Sequence, residues 1–483
     1  MVGLNATLPL ATAMEAEEND GENSQSTTTT PGSSSRGKKH NTNNNNNIRW
    51  NLEAGLAHGD AMDYEYMQTL PRDMLDLLVQ SSATSQRLTY LASMQDKRHT
   101  IVICHSEPGA WSVPTPRYDS ANPCPPTGNT SDYHKVIGRT MFETDRLPQG
   151  WDVRLNAMDE IWVPAHHHQQ IFRRDGVTVP VRVVGQGIDT QRVWNPASVS
   201  KPMDWTQWLK RSSNYPQYCA PKSFKFLSVF KWENRKGPDL LLKSFWKAFP
   251  PRPRKSKVKH GVCLILVTSL YHDEPDRITH ELRQHWNEAL GRFGVVKDKN
   301  NTDKSNHHDT DHDPPQGVVL WTGLALDHLV KLYASVDAFV LPSRGEGWGR
   351  PYMEAMSMGL PVLATNWSGP TEFIRQEYGY LIPLDKDAPL VDAHLEAFPH
   401  HQWAQPNATA LVELMQYVAH HPDEAQAKGR AAREYIVEKW SHTAVAEVVV
   451  DHLYRLIHEE KKDGQQPQQR AGGGQGREKN EEL

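Results

Sequence analysis

Short apolar runs alternate with amphipathic stretches in the first half of the chain. HTIVICHS (99–106), DEIWVPA (159–165) and VPVRVVGQGID (179–189) have the length and composition of strands. The segment between about 126 and 156 predicts a helical stretch instead. Strands that alternate with helices predict a parallel sheet covered by helices, so we expect a Rossmann-like unit here.

The same alternation returns after residue 223 and is more regular. The predicted strands of this part are FKFLSVF (224–230), VCLILVTSL (262–270), VVLWTG (318–323), DAFVLPS (337–343) and LPVLATN (360–366). The predicted helices are PDLLLKSFWKAF (238–249), DRITHELRQHWNEAL (276–290) and LDHLVKLYASV (326–336). Two doubly wound units in series predict a cleft between the carboxyl edges of two sheets, which is where open α/β sheets bind ligands.

Changes in composition set the predicted domain boundaries. The predicted segments are a disordered low-complexity stretch at 1–48, a first domain at 49–194, a linker at 195–222, a second domain at 223–440, a closing helix at 441–460 and a disordered tail at 461–483. KDKNNTDKSNHHDTDHDPPQ (297–316) interrupts the second domain. Its irregular spacing of His and Asp favours a solvated, disordered insertion over a metal site.

Charge and cysteine usage narrow the class of protein. The net charge of −5 gives no reason to expect a nucleic-acid partner, which needs a basic face. Four scattered cysteines form neither a CxxC pair nor a disulfide framework, so we expect reduced thiols and a cytoplasmic protein. There is no apolar run of about 18 residues that would predict a transmembrane segment, and no basic amphipathic helix supports a peripheral membrane contact.

The run EGWGRPYMEAMSMG (346–359) places Glu354 among apolar neighbours, although Glu is rarely buried without a partner. A helix predicted from about Pro351 puts Glu354 in its first turn and Glu346 just before it, in a loop rich in glycine. Such carboxylates could accept hydrogen bonds from the vicinal hydroxyls of a ribose or pyranose. The alternative is a solvated pair of charges that the helix dipole favours.

The loop KWENRKG (231–237) places Lys231, Arg235 and Lys236 just before a helix N-terminus. The helix dipole disfavours cations there unless an anion lies between them and the helix. A diphosphate would supply that anion, since Arg and Lys are its usual partners. The alternative is a solvated basic loop.

Three further groups in the first part are candidates for the cleft. His105 ends a predicted strand at the carboxyl edge, although a single His is more often structural. GRTMFETDRLP (138–148) offers Glu143 or Asp145 as a cleft acid, or as ordinary helix-start charges. The three histidines at 166–168 are expected in a surface turn or an early helix, with no metal.

Four motifs together carry a family resemblance. LPSRGEGWGRPYMEAMSMGLPVLATNWSGPTE, with its Glu346-x7-Glu354 spacing, closely resembles the signature of family 4 retaining glycosyltransferases of the GT-B fold. VFKWENRKGPDLLLKSF resembles that family's phosphate loop, with Lys231 where Arg is usual. QGID (186–189) resembles the turn that closes the first domain, and ICHSEP (103–108) resembles the His-containing end of its central strand. HSEPGAW and GRTMFETDRLP resemble uncharacterised plant and algal members, and the resemblance covers roughly 50–460.

The resemblance implies a GT-B fold and a transfer, with retention of anomeric configuration, from a UDP- or GDP-linked sugar to an unknown acceptor. It implies no cofactor and no metal. The implied donor-binding residues are Lys231, Lys236, Glu346, Gly347, Trp348, Gly349 and Glu354. The implied catalytic residues are His105, Glu346 and Lys236, with Glu143 as a candidate cleft acid.

The implied roles follow the motifs residue by residue. Glu354 would hold the ribose hydroxyls, Glu346 would contact the donor sugar, and His105 would lie near the reacting carbon. Lys231 and Lys236 would neutralise the leaving diphosphate.

The first domain departs from the family pattern. IRWNLEAGLAHGD (48–60) resembles the family's second strand, so we expect the first strand and its Gly-rich loop to be missing. Two alternatives therefore stay open: a sugar-nucleotide epimerase of the same fold, and a non-catalytic protein that binds nucleotide sugars.

Overall fold

The computed structural model describes residues 100–111, 124–125, 127–211, 219–250, 260–269, 276–289 and 317–458. The predictions for the strand at 48–60, the two terminal segments and the insertion at 297–316 lie outside these residues. The predicted domain boundaries stay predictions.

The first unit contains a four-stranded parallel sheet in the order β1-β2-β3-β4. Its strands are β1 (Ile101–His105), β2 (Lys135–Arg139), β3 (Glu160–Val163) and β4 (Val181–Val183). Its helices are α1 (Trp151–Leu155) and α2 (His166–Arg174). Consecutive parallel strands joined by crossovers put all four carboxyl ends at one edge.

The helical stretch predicted between 126 and 156 is wrong over its first part, where β2 lies. The strand holds only five residues, and its apolar Val136 and Ile137 are followed by Gly138. A Cβ on Gly138 would lie 2.5 Å from the ring of Trp111, so this glycine allows a buried tryptophan to cover the sheet. So short a strand has too little alternation to be distinguished from a helix.

The second unit contains a six-stranded parallel sheet in the order β7-β6-β5-β8-β9-β10. Its strands are β5 (Cys219–Lys231), β6 (His260–Ser269), β7 (Val318–Thr322), β8 (Ala338–Leu341), β9 (Val362–Thr365) and β10 (Tyr380–Ile382). Counted within the unit, this order is 3-2-1-4-5-6, the doubly wound order of dinucleotide-binding sheets. A crevice is therefore expected between β5 and β8, where the winding direction reverses.

Helices and one hairpin complete the second unit. The helices are α3 (Trp205–Arg211), α4 (Pro238–Ala248), α5 (Asp276–Ala289), α6 (Leu326–Tyr333), α7 (Arg350–Ser357), α8 (Ala408–His420), α9 (Pro422–Trp440) and α10 (His442–His458). The antiparallel hairpin consists of β11 (Leu390–Asp392) and β12 (Gln402–Ala404). Within the described residues, no helix is both long and apolar enough to cross a membrane.

The last helix, α10, returns to the first sheet. Ile188 and Ser441 form an isolated parallel bridge before it begins. Near its end, Arg455 donates to both carboxylate oxygens of Glu160 at 2.9 Å, and Glu160 also accepts from Arg182 and from the indole of Trp162. Two parallel-sheet units joined by this helix confirm the predicted α/β fold class of two Rossmann-like units.

The two units also meet through the β11–β12 hairpin. Asp145 N donates to the carbonyl oxygen of Gln402 at 3.0 Å, and Gln402 N donates to Asp145 Oδ1 at 2.8 Å. Thr144 Oγ1 lies 2.7 Å from Nδ1 of the buried His401. A reciprocal pair of backbone donors ties the segment after β2 to the hairpin of the second unit.

The expectation of reduced thiols is wrong, because the four cysteines form two disulfides. Cys104 pairs with Cys124, and Cys219 pairs with Cys263. The second pair joins the neighbouring strands β5 and β6, a proximity that 44 residues of sequence separation do not reveal. The cytoplasmic placement inferred from reduced thiols loses that support.

Replacing Glu160 with alanine should lower the free energy of unfolding by about 2–3 kcal/mol, because two guanidinium groups and an indole N–H lose their acceptor. The surface pair of Glu438 and Lys439 offers a matched control, and Glu438→Ala should leave stability unchanged within error. Denaturant unfolding of both variants checks this prediction. Equal midpoints would contradict a closing role for Glu160.

Candidate functional site

The crevice of the second sheet lies between the loops that follow β5 and β8. These are KWENRKG (231–237) and PSRGEGWG (342–349), and both lie at the carboxyl edge. Arg344 N donates to the carbonyl oxygen of Arg235 at 2.7 Å, so the two loops are in direct contact. The strand order therefore joins the predicted phosphate loop to the predicted carboxylate loop.

A buried ion pair lies where the two loops meet. Lys236 Nζ contacts Glu346 Oε1 at 2.6 Å and Oε2 at 2.7 Å, and both residues are less than a tenth exposed. Burial works to raise the pKa of Glu346, but Lys236 and Arg235 outweigh it, so this pKa lies below its ordinary value. Burial and the neighbouring Arg235 lower the pKa of Lys236. The pair makes Glu346 an ionised carboxylate at neutral pH.

Arg235 connects this pair to the first unit. Its Nη1 donates to Gly345 O at 2.7 Å and lies 3.6 Å from Glu346 Oε2. The same nitrogen lies 3.8 Å from Glu143 Oε1, while Nη2 donates to Glu233 at 2.8 Å. Burial lowers the pKa of Arg235, but the three carboxylates together raise it. Arg235 therefore stays charged and holds carboxylates from both units.

Two glycines of the carboxylate loop lie directly against the first unit. A Cβ on Gly345 would overlap the carbonyl oxygen of Glu143, and one on Gly347 would lie 2.6 Å from Met141 Sδ. At 345 a larger residue would meet the backbone of Glu143, whereas at 347 it would displace the flexible side chain of Met141. The glycine-rich loop predicted to contact a ligand thus also accommodates the segment that follows β2.

Ser368 has an unusual backbone conformation and holds the backbone of Glu346 in place through hydrogen bonds. Its Oγ accepts the backbone N–H of Glu346 at 2.9 Å, and Gly369 N donates to Glu346 O at 3.1 Å. The backbone of Ser368 has φ 62° and ψ −152°, a region occupied almost only by glycine. Strain of this kind persists only where surrounding contacts impose it, and it is common at functional sites.

Glu354 is buried and has no full counter-charge. Its side chain is 12% exposed, and Arg350 Nε lies 4.0 Å from Oε1. Tyr333 donates its hydroxyl to Oε2 at 3.1 Å. Burial raises the pKa of Glu354, and Arg350 and Tyr333 offset this only in part. The sequence predicted Glu354 in the first turn of this helix. Because α7 begins at Arg350, Glu354 instead starts the second turn.

His105 ends β1 at the carboxyl edge of the first sheet, beside Arg139 in the strand register. Burial, with a further contribution from Arg139, lowers the pKa of His105 to about 3. The imidazole is therefore neutral at physiological pH. It can donate one hydrogen bond and accept another.

The remaining predicted residues divide between the site and its surroundings. Lys231 is exposed at the end of β5. Gly349 precedes α7 with φ 100°. The side chain of Trp348 is buried against Phe373 and Trp440, so only its backbone can face a ligand. The structure therefore brings Lys236, Glu346 and Glu143 together through Arg235, and exposed Lys231 lies outside this group.

The three histidines at 166–168 begin α2 and do not gather around one point. His166 contacts Glu372 at 2.9 Å, His167 packs on Trp367, and His168 is fully buried. In the part of the chain that the structure describes, no group of three or more His, Cys, Asp or Glu side chains could hold a metal ion.

Sequence reasoning missed the contacts of Tyr333, Arg139 and Ser368 with the predicted residues. Tyr333 reaches Glu354, and Arg139 lies beside His105, through the packing of separate elements, which no local pattern records. Ser368 stands in SGPTE, where the following Gly-Pro indicated only a turn.

Residues 221–398 match the family model for Glycosyl transferases group 1. The matched span begins in β5 and ends at Phe398, so it contains both crevice loops. It excludes the first unit, and with it His105 and Glu143.

Curated relatives match over short segments. A sucrose synthase from Acidithiobacillus caldus is 42% identical over 90 residues, which are 17% of this chain and 11% of that protein. O-antigen chain mannosyltransferase B from Escherichia coli is 33% identical over 105 residues, which are 21% and 27% of the two chains. This chain therefore spans about a tenth and about a quarter of those relatives. HepE from Anabaena, solved with UDP and glucose, superposes with a TM-score of 0.45 at 14% identity over 66% of this chain and 72% of that one.

Replacing Lys236 with methionine should destabilise the ligand-free protein by about 2–3 kcal/mol at pH 7, because Glu346 keeps only the more distant Arg235. In the wild type, the pKa of Glu346 is lower in the folded than in the unfolded state, where it is about 4.3. The ionised Glu346 therefore stabilises the fold above about pH 4.3, and this stabilisation is lost as pH falls through the folded pKa. The variant should instead gain stability on acidification from pH 7 to 5. Thermal melts at both pH values, with Lys236→Met/Glu346→Gln as the compensated control, check this. A deficit that the double variant shares would contradict the pairing.

Replacing Ser368 with glycine should give a protein more stable than Ser368→Ala by about 1–2 kcal/mol, because both lose the hydroxyl and only glycine relieves the strain. At Ser198, an exposed residue outside the positive-φ region, glycine should be the less stable replacement. Denaturant unfolding of the four variants measures both differences. The same order at both positions would argue against strain.

Proposed function

We propose that this chain is a family 4-type retaining glycosyltransferase that takes its sugar from a nucleotide diphosphate sugar. The observation that carries the proposal is the Lys236–Glu346 pair at the switch point of a doubly wound sheet, inside the segment that matches Glycosyl transferases group 1. Switch points are where such sheets bind nucleotides. The proposal includes both crevice loops and, at the facing edge, His105.

Lys236 is proposed to exchange partners when the donor binds. Its ammonium would turn from Glu346 to the donor diphosphate, which carries more negative charge than the carboxylate it leaves. Arg235 lies 3.6 Å from the same carboxylate and would keep Glu346 ionised and in place. Two protein cations beside the leaving group would stabilise the charge that develops as the sugar departs, so the proposed chemistry does not need a metal.

Glu354 is proposed to receive the ribose. Its raised pKa reflects a buried carboxylate with too few donors, and the two hydroxyls of a ribose would supply them. Tyr333 already orients one of its oxygens. Glu346 would contact hydroxyls of the sugar itself, with the backbone at Gly347 and Gly349 beside it.

His105 is proposed to lie on the opposite wall, near the reacting carbon. A neutral imidazole can accept a hydrogen bond from the donor sugar without repelling positive charge that develops there. Retention would follow from departure and attack on the same face, assisted by the diphosphate. The acceptor is not defined by these residues.

Replacing Glu354 with glutamine should separate stability from binding. A carboxyl with a raised folded pKa costs stability when ionised, so at pH 7 the variant should melt higher than the wild type without ligand. That advantage should narrow as pH falls through the raised pKa toward about 4.3.

The wild type should gain about 2.7 kcal/mol from one of UDP, GDP or ADP at 100 times its Kd, and Glu354→Gln should gain nothing.

The exposed Glu413 on α8 offers a control, since Glu413→Gln should keep the wild-type response. A nucleotide that stabilises Glu354→Gln as strongly as the wild type would refute the ribose role. Transfer of labelled sugar from the matching donor to a sugar or lipid-linked acceptor panel then tests catalysis. Nucleotide binding without transfer would favour the non-catalytic alternative, and interconversion of the donor sugar would favour the epimerase.

A further inference from the structure

Arg139 is a buried cation that the proposed donor site does not use. It ends β2, only 9% of its surface is exposed, and it neighbours His105 in the sheet. Its Nη2 donates to the carbonyl oxygen of Gly185 at 2.9 Å. No carboxylate of the described residues forms an ion pair with it.

Other largely buried guanidinium groups of the described residues have fuller sets of partners. Arg235 lies among three carboxylates, Arg344 pairs with Asp239 through two nitrogens, and Nη2 of Arg455 contacts both carboxylate oxygens of Glu160. Arg433, which lacks a carboxylate, donates to two carbonyl oxygens and to an amide oxygen. Arg139 has one carbonyl oxygen for five donor hydrogens, so its partner set is incomplete.

The energetics of this position call for an anion. Burying a charge without a counter-charge is costly, and the neighbouring His105 supplies none. Burial lowers the pKa of Arg139 to about 10, whereas the pKa of Arg235 is raised. A buried charge of this kind lowers the stability of the fold, and such exceptions are expected at functional sites.

The guanidinium group of Arg139 keeps a small solvent-accessible part. Its Nη2 contacts Gly185, and its other two nitrogens are not completely sealed from solvent. Two residues further on, Met141 lies against Gly347 of the crevice loop. The side chain of Gln186, itself nine-tenths buried, contacts the sulfur of Met141. Arg139 therefore lies on the segment that leads into the seam between the units.

We propose that Arg139 and His105 form an anion subsite in the first unit that takes a phosphate group. The planar fork of a guanidinium matches two oxygens of a phosphate, and the neutral imidazole can donate one further hydrogen bond. Arg139 lies on the first unit and Lys236 on the second, so the cation of this subsite is a different residue from the proposed donor cations. The phosphate belongs either to the donor diphosphate or to an acceptor that carries a phosphate. The subsite itself is argued from Arg139 and His105, and only the choice between these two sources rests on the proposed function.

The test uses the full chain with inorganic phosphate and pyrophosphate as probes. Both anions should raise the melting temperature of the wild type and of Glu354→Gln. Arg139→Gln should need at least tenfold more of either anion for the same shift, and Arg139→Lys should recover part of the response. Without ligand, Arg139→Gln should melt no lower than the wild type, because it removes an unpaired buried charge. Should it fail to fold, Arg139→Met and Arg139→Lys carry the same comparison.

The outcomes distinguish the two sources and the failure of the proposal. A tenfold loss of nucleotide diphosphate affinity in Arg139→Gln assigns the subsite to the donor. If Arg139→Gln keeps its nucleotide affinity, and phosphate raises the melting temperature of the nucleotide-saturated wild type but not of the variant, the subsite is assigned to an acceptor phosphate. Unchanged anion responses in a folded Arg139→Gln overturn the subsite, as does a response lost in Lys236→Met and kept in Arg139→Gln. A wild type that ignores all nucleotides contradicts the proposed function, while the anion comparison still decides on Arg139.

Discussion

The buried pair of Lys236 and Glu346 depends on strand order more than on either residue. The two side chains are 110 positions apart, and they meet because β5 and β8 are neighbours in the sheet. Without that adjacency, each would lose its closest counter-charge, which is costly for a buried group. The pair therefore couples the topology of the second unit to the chemistry at its edge, and Arg235 extends the same coupling to Glu143 of the first unit.

Two carboxylates of α7 and its preceding loop have pKa values shifted in opposite directions. Glu346 is compensated, so its charge is stable before any ligand arrives. Glu354 is not, and its raised pKa marks a place where hydrogen-bond donors are lacking. Under the proposed function, one carboxylate would be ionised before the donor binds, and the other would gain its missing hydrogen-bond donors from the donor. The cost of the uncompensated Glu354 would fall on the stability of the ligand-free protein.

The sequence was most informative where burial is local. Long apolar runs such as β6 predicted the strands of the second unit, and the apolar neighbours of Glu354 indicated its burial. Features that depend on distant segments were not predictable: the Cys219–Cys263 disulfide needs the pairing of β5 with β6. The strand β2 was missed because its five residues show too little alternation, and the conformation of Ser368 follows from contacts that only the folded chain imposes.

The hydrogen bonds between Asp145 and Gln402 constrain how the two units can move relative to each other. They hold the segment after β2 against the β11–β12 hairpin, with Thr144 and His401 directly beside it. Any movement between the units that keeps these bonds leaves Glu143, only two positions from Asp145, close to the hairpin. The distance between Arg235 and Glu143 is then constrained from the side of the first unit.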